Sequence, residues 1–148
     1  MTGVSEPAGG TGQPYTVEVE RGKIREFARA TKARDTSYFD DPRPVAPPTF
    51  LASAAFWASP ESSALDAGDV NWARILHGEQ EYVFHGPPPS AGQTLVAQQR
   101  IEDRYEKQGR RGGTMRFFVI VTEFRTPEGE LVAEGRSTVI ETSQAAGS

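Results

Sequence analysis

The chain has no cysteine among its 148 residues. Disulfides, thiolate nucleophiles, iron–sulfur clusters and cysteine zinc sites are excluded with it. Histidine is almost as scarce, at two. His77 and His85 stand too far apart along one predicted strand to share a metal, so no metal site is expected. No stretch approaches the roughly 20 apolar residues of a membrane span. Met1 to Pro14 has neither the basic start nor the apolar run of a secretion signal, so a cytoplasmic protein with no membrane partner is expected. A surplus of positive charge is missing too: the formal charge is −4 and the pI about 5.2. That excludes non-specific nucleic-acid binding, which needs a broad basic surface, but leaves room for a small local anion site.

What is present is one domain's worth of chain, long enough to bury about two thirds of its unfolded surface. Thr2 to Pro14 (TGVSEPAGGTGQP) is small, polar and rich in Gly and Pro. It cannot bury enough apolar surface to offset the entropy of ordering, so residues 1–14 are expected to be a disordered arm. Ser143 to Ser148 reads as a flexible tail in the same way. Residues 15–142 form the expected domain, with no repeat and no linker to divide it.

Tyr15, Val17 and Val19 alternate with Thr16 and Glu18, as in a short half-buried strand. The period then changes. Ile24, Phe27, Ala28 and Thr31 fall at i, i+3, i+4 and i+7, which predicts a surface helix over about 20–32. From Ala33 to Pro48 repeated prolines deny helical hydrogen bonds, and irregular segments of this kind are where sites tend to lie. The next segment, Pro48 to Ala58 (PTFLASAAFWA), starts on a proline suited to a first helical turn and stops before Pro60. Apolar on nearly every side, it predicts a buried central helix, with Phe56 in the core and Ala52, Ser53, Ala54 and Ala55 allowing a sheet to come close. The rest is β in character: strands over 78–85, 94–107, 114–125 and 131–141, joined by Gly/Pro-rich turns. Leu95, Ala97, Ile101 and Tyr105 are expected on one face of the second, and Phe117 to Val121, apolar on both faces, mark the third as central. The fold class is α+β, with a curved antiparallel sheet wrapped around one helix.

Laid out in this order, the chain resembles the hot-dog fold, and within it the N-terminal-type (FAS1-like dehydratase) domains of the MaoC-like dehydratase family. The residues that carry the resemblance are Lys23 to Ala28 (KIREFA), Val45 to Phe50 (VAPPTF), Leu76 to Glu81 (LHGEQE), Pro89 to Gly92 (PSAG) and Gly129 to Val132 (GELV). It runs from about Tyr15 to Thr142. It implies a single hot-dog domain that handles acyl thioesters of coenzyme A or acyl carrier protein, with no cofactor beyond that substrate. Water is added to, or removed from, a carbon–carbon double bond. It also implies an Asp and a His just after the first helix as the acid–base pair, a thioester oxygen held by backbone N–H groups at the start of the central helix, and an acyl pocket beside that helix.

Counted forward without a gap, the catalytic Asp position falls on Ala33 and the His position on Tyr38. Alanine exchanges no proton, and a phenol with its ordinary pKa near 10 is a poor general base at neutral pH. A tyrosine at this position resembles the non-catalytic subunits of heterodimeric hydroxyacyl-thioester dehydratases, whose partner chain brings the Asp and His. The leading expectation is therefore a non-catalytic hot-dog subunit paired with a catalytic MaoC-like chain. The alternatives are a homodimeric acyl-thioester-binding protein, or a self-sufficient hydratase or thioesterase using Asp35, with Tyr38 as the other fallback catalytic group. Tyr38, Thr49 and Phe50 are the expected substrate-binding residues. Lys107, Arg110 and Arg111 flank the Gly109–Gly113 turn and read either as a solvated hairpin tip or as a phosphate-binding patch. His77 is expected to hold backbone at the start of its strand, and His85 to stand exposed with no carboxylate at a spacing that would orient it.

Overall fold

The alternating segments form strands, but the one over Ile75–Phe84 pairs with the last, Leu131–Glu141, and not with the strand that follows it. In the computed structural model, which describes residues 9–65 and 68–143, β1 (Tyr15–Glu18), β2 (Ile75–Phe84), β3 (Thr94–Gln108), β4 (Thr114–Arg125) and β5 (Leu131–Glu141) form one sheet in the order β1-β3-β4-β5-β2. All four pairings are antiparallel. Helix α1 (Arg21–Ala30), the single turn α2 (Ser37–Asp40) and the central helix (Phe50–Trp57) lie between β1 and β2 in the chain. The central β4 carries the Phe117–Val121 block, where Phe118 and Val121 are almost fully buried on opposite faces.

The expected stripe of α1 is real: Ile24 and Ala28 are fully buried, and Phe27 packs beside them. The helix ends early because Lys32 takes a left-handed φ of 56°. Ala33 N–H then reaches back to the Ala28 carbonyl at 2.8 Å, closing the last turn.

The central helix departs from expectation. It is a 3-10 helix that buries only Phe50, Leu51 and Ala54. Phe56, expected in the core, is 87% exposed, and Trp57 is exposed as well. Two causes are visible. Ser53 Oγ donates to the Phe50 carbonyl at 2.7 Å, the group that a regular α-helix offers to Ala54. And the sheet covers one side of the helix only, so an all-apolar sequence here does not mean burial all round.

Strand β3 holds a second correction. Ile101 pairs with Ile120 but Asp103 with Val119, so Glu102 is bulged and every later residue changes face. Arg104, not Tyr105, follows Ile101 on the inner side, with its guanidinium 5.5 Å from the Phe118 ring centroid. Tyr105 turns outward and stacks on Phe117 at 4.8 Å.

The arm is the third correction. Residues 9–14 are held: Thr11 bridges Arg100, Gly12 N–H donates to the Gln99 carbonyl, Ile101 N–H to Gly10, and Gln13 N–H to Glu61. Backbone hydrogen bonds secure a segment with little apolar surface of its own, and glycine permits the fit, since a Cβ on Gly12 would stand 2.0 Å from the Ser62 carbonyl oxygen. The expected arm at 1–8 and tail at 144–148 lie outside the described residues.

The inner face of the sheet holds two apolar clusters. One joins Val17, Ile24, Phe50, Leu51, Ala54, Leu95, Ala97, Phe124 and Ala133. The other joins Ala64, Leu65, Val70, Ile101, Phe118 and Ile120.

Two measurements check this account. Gly12→Ala is expected to peel the arm from β3 and cost about 1–3 kcal/mol in urea unfolding, as overpacking does, with amide-exchange protection lost at Ile101. The second concerns Glu141, where burial raises the carboxyl pKa but hydrogen bonds from Asn71 N–H and Arg116 outweigh it, so the net shift is downward. A lowered carboxyl contributes stability that is present above its unfolded pKa of about 4.3 and lost as pH falls through the folded value. Glu141→Gln should therefore lower Tm at pH 7 and lose its effect at strongly acid pH.

Candidate functional site

The segment after α1, where an acid–base pair is expected, holds none. Ala33 is half-buried and its N–H is spent on the helix end. Asp35 is exposed, and its Oδ1 accepts the Ser37 N–H at 2.9 Å. That bond holds its carboxyl below the usual range, which makes it a weaker base. Tyr38 is half-buried and packs on the cluster around Ile24 and Phe50.

Of the residues expected at the thioester end, Phe50 is buried, with its ring edge-on to Phe27 at 5.7 Å, and Thr49 is exposed. The structure thus joins Tyr38 to Phe50 through one core cluster and leaves Thr49 outside it. The amides of Phe50 and Ala52 already donate to the carbonyls of Pro47 and Thr49. Phe50 also walls a small hollow of about 210 Å³ with Ser53, Phe56, Trp57, Glu20 and Lys23.

A larger cavity, about 290 Å³, lies on the other side of the central helix, between it and the sheet. Leu51, Ala52, Ala54 and Ala55 form the helix wall, with Ser63, Leu65, Trp72 and Ile75 at the sides. Small side chains in the middle of the helix leave this space open. The Trp72 segment is fixed at its base, because Arg116 binds both Glu141 and the Asp69 carbonyl while Glu141 takes the Asn71 N–H.

The floor is set by strand register. Gln99 pairs with Thr122, Thr122 with Gly135, and Gly135 with Tyr82. The next row runs Ile101, Ile120, Ser137, Gln80. Tyr15, Gln80, Tyr82, Gln99, Thr122 and Ser137 all line the cavity, and among the described residues no charged one does. Gly135 makes room for the Tyr82 ring: a Cβ there would lie 3.3 Å from Tyr82 Cε1. Burial pushes the phenol pKa values of Tyr15 and Tyr82 up, so both remain protonated. Reading by spacing passed over these residues. Their signal, a polar side chain at an inward position on several strands, appears only once the strands are aligned.

The histidines also differ from expectation. His77 holds side chains, not backbone: its Nε2 lies 3.0 Å from Ser137 Oγ and 3.2 Å from Gln80 Oε1. His85 does have a carboxylate, Glu134 of β5 at 2.8 Å, brought by cross-strand pairing that spacing along the chain cannot reveal. At the Gly109–Gly113 turn, Arg110 and Arg111 are exposed, while Lys107 Nζ sits 5.1 Å from the Phe117 ring centroid and 5.4 Å from that of Tyr105.

Comparison with known proteins places this architecture. Among solved structures, the chain is similar to the C-terminally truncated HadBC (3R-hydroxyacyl-ACP dehydratase) complex of Mycobacterium tuberculosis, with a TM-score of 0.69 and 26% identity over 93% of this chain and 99% of that one. A MaoC-like dehydratase gives a TM-score of 0.74 at 22% identity, over 91% of this chain and 42% of its own, a likeness of fold alone. The fold is the expected hot-dog. Among curated sequences, a UPF0336 protein of Saccharopolyspora erythraea is 34% identical over 134 residues, 83% of this chain and 80% of that protein. A second, from Parafrankia sp., is 31% identical over 145 residues, 87% and 89% of the two chains. The model of the FAS1-like dehydratase domain region matches residues 8–135. The chain belongs to the FAS1-like dehydratase-domain family of hot-dog proteins.

Proposed function

We propose that this chain is the non-catalytic hot-dog subunit of an (R)-specific enoyl- or 3-hydroxyacyl-thioester hydratase/dehydratase, working beside a second hot-dog chain that supplies the Asp and His. The observation that carries this reading is a dehydratase fold with no proton-exchanging pair after α1. Hydration needs a base to take a proton from water as its oxygen attacks C3, and an acid to protonate C2. Ala33 does neither, and Asp35 is engaged by the Ser37 N–H. The substrate is an acyl thioester of coenzyme A or acyl carrier protein. This chain's part is to house its acyl group in the cavity beside the central helix. The exposed Arg110 and Arg111 offer positive charge for the phosphates of coenzyme A or for an acidic carrier protein.

The sheet edges support a partner. β2 is a ten-residue strand at the edge of the sheet. Leu76 and Val83 are exposed along it, as is Trp72 just before it. Pairing a second sheet here satisfies the open N–H and C=O groups. Charge favours a different chain over a second copy. Glu79 and Glu81 flank Gln80, and an antiparallel self-pairing centred there would set glutamate against glutamate, which destabilises a sheet. Arg136, across from Glu81, is already paired with Glu102. The HadBC complex, a dehydratase built from two named components, is similar in fold to this chain and fits the same arrangement.

Co-expression with a hot-dog chain carrying an intact Asp/His segment is expected to give a complex that hydrates crotonyl-coenzyme A, while this chain alone gives no turnover. Within the complex, Asp35→Asn should change kcat less than about twofold, and removing the partner's Asp should cost about 10² to 10⁴-fold. Turnover by the isolated chain that disappears with Asp35→Asn would establish the self-sufficient enzyme instead. A homodimer that refuses every such partner, yet binds acyl-coenzyme A, would make it a binding protein. At the edge, the double change Glu79→Lys and Glu81→Lys should weaken the complex by about tenfold or more by native mass spectrometry. It should also allow the variant to pair with the unmodified chain.

A further inference from the structure

The floor of the 290 Å³ cavity carries a polar stripe, Tyr82, Gln99, Thr122, Gln80 and Ser137, among the apolar Ile120, Phe124 and Val139. One row away, towards the first cluster, the same strands carry Ala97, Phe124, Ala133 and Phe84 in register. On the cavity row they carry Gln99, Thr122, Gly135 and Tyr82, with Ser137 and Gln80 on the next. A sheet built only to pack a helix has no use for this stripe, because each polar group under a helix must be hydrogen-bonded or solvated.

The hydrogen bonds give the stripe a direction. Gln99 Oε1 accepts the Ala64 N–H at 3.2 Å, which leaves its NH₂ group as the remaining donor. Gln80 Nε2 donates to the Arg136 carbonyl at 3.3 Å, turning Oε1 to His77. His77 Nε2 lies within hydrogen-bond distance of both Gln80 Oε1 and Ser137 Oγ. The hydroxyls of Tyr15, Tyr82 and Thr122 have no protein partner among the described residues, and no described side-chain polar atom is both sealed from solvent and unpartnered. The amide oxygens thus have partners in the protein, while the Gln99 NH₂ group and the hydroxyls of Tyr15, Tyr82 and Thr122 belong to residues that line a cavity with no charged side chain among the described residues.

Resting on the reading that the cavity houses the acyl group, we propose that it selects acyl chains bearing a neutral oxygen function away from the thioester, a keto group above all, over plain alkyl chains. A carbonyl accepts from the Gln99 NH₂ group, and from any of the hydroxyls when it turns its proton to the cavity. A carboxylate would be drawn out of water with no cation to meet it. At about 30 Å³ for each water-sized group, the space takes on the order of ten methylene-sized groups, a short to medium chain.

The test is calorimetry on the full chain with octanoyl-coenzyme A and its mid-chain keto analogue. The keto analogue is expected to bind about tenfold more tightly, the effect of one or two well-formed hydrogen bonds. Tyr82→Phe, which keeps the ring on Gly135, and Thr122→Val, which keeps the volume, should each weaken the keto analogue about threefold to tenfold and leave octanoyl-coenzyme A within about twofold. Equal affinity for the two ligands, or equal losses for both in the variants, overturns the proposal while sparing the acyl-binding role, and means that the stripe holds water only. If neither ligand binds the chain or its complex, the acyl-thioester reading falls, and this proposal with it.

Discussion

The register of four antiparallel strands positions everything that matters beneath the central helix. Pairing of β3 with β4, β4 with β5 and β5 with β2 brings residues far apart in sequence into rows across the sheet, and a slip of one residue anywhere would turn a row over. Two bulges show how closely this is controlled. The one at Glu102 carries Tyr105 out of the inner face and brings Arg104 in. The one between His77 and Glu79 lets His77 and Gln80 both stand beside Ser137. There a Cβ on Gly78 would stand 2.9 Å from Ile140 Cδ1 and 3.2 Å from the Thr138 carbonyl oxygen, so a larger residue fits only if the Ile140 side chain gives way.

On this frame, stability and chemistry are separated in space. One apolar cluster ties α1 and the central helix to β1 and the sheet; the other joins Ala64, Leu65 and Val70 to β3 and β4. The cavity opens between them because the central helix presents alanines to it and is pinned at Phe50 and Leu51. Ala33 and Asp35, in the segment after α1 where an acid–base pair is expected, contribute to neither cluster. Tyr38, in contrast, has become part of the packing. Fold and reaction chemistry are therefore free to diverge at this site.

Much of the architecture was legible along the chain. The 3.6-residue stripe of Ile24 and Ala28 gave α1, alternation gave the strands, and β4 and β5 fall at 114–125 and 131–141 as read. Those signals are local. Whatever depended on contacts between distant segments was not legible: the exposed side of the Phe50–Trp57 helix, the bulge that redirects Tyr105, the ordering of 9–14 by backbone bonds, and the His85–Glu134 pair. The cavity floor belongs to the same group. Gln99, Thr122, Gly135 and Tyr82 lie on four strands, and each looks ordinary in its own strand.

The two edges of the sheet are finished differently. On the far side, β1 covers β3 as far as Ala97, and residues 10–12 continue along it to Ile101, wedged against the Glu61–Ala64 backbone by glycines. On the near side β2 runs its ten residues with no strand paired to its outer edge among the described residues. A sheet with two open edges is a monomer unit of a ribbon, able to grow from both ends. Here the far edge is covered as far as Ile101, where the glycines of the arm let its backbone reach β3, and among the described residues β2 is the edge open to strand addition along its whole length.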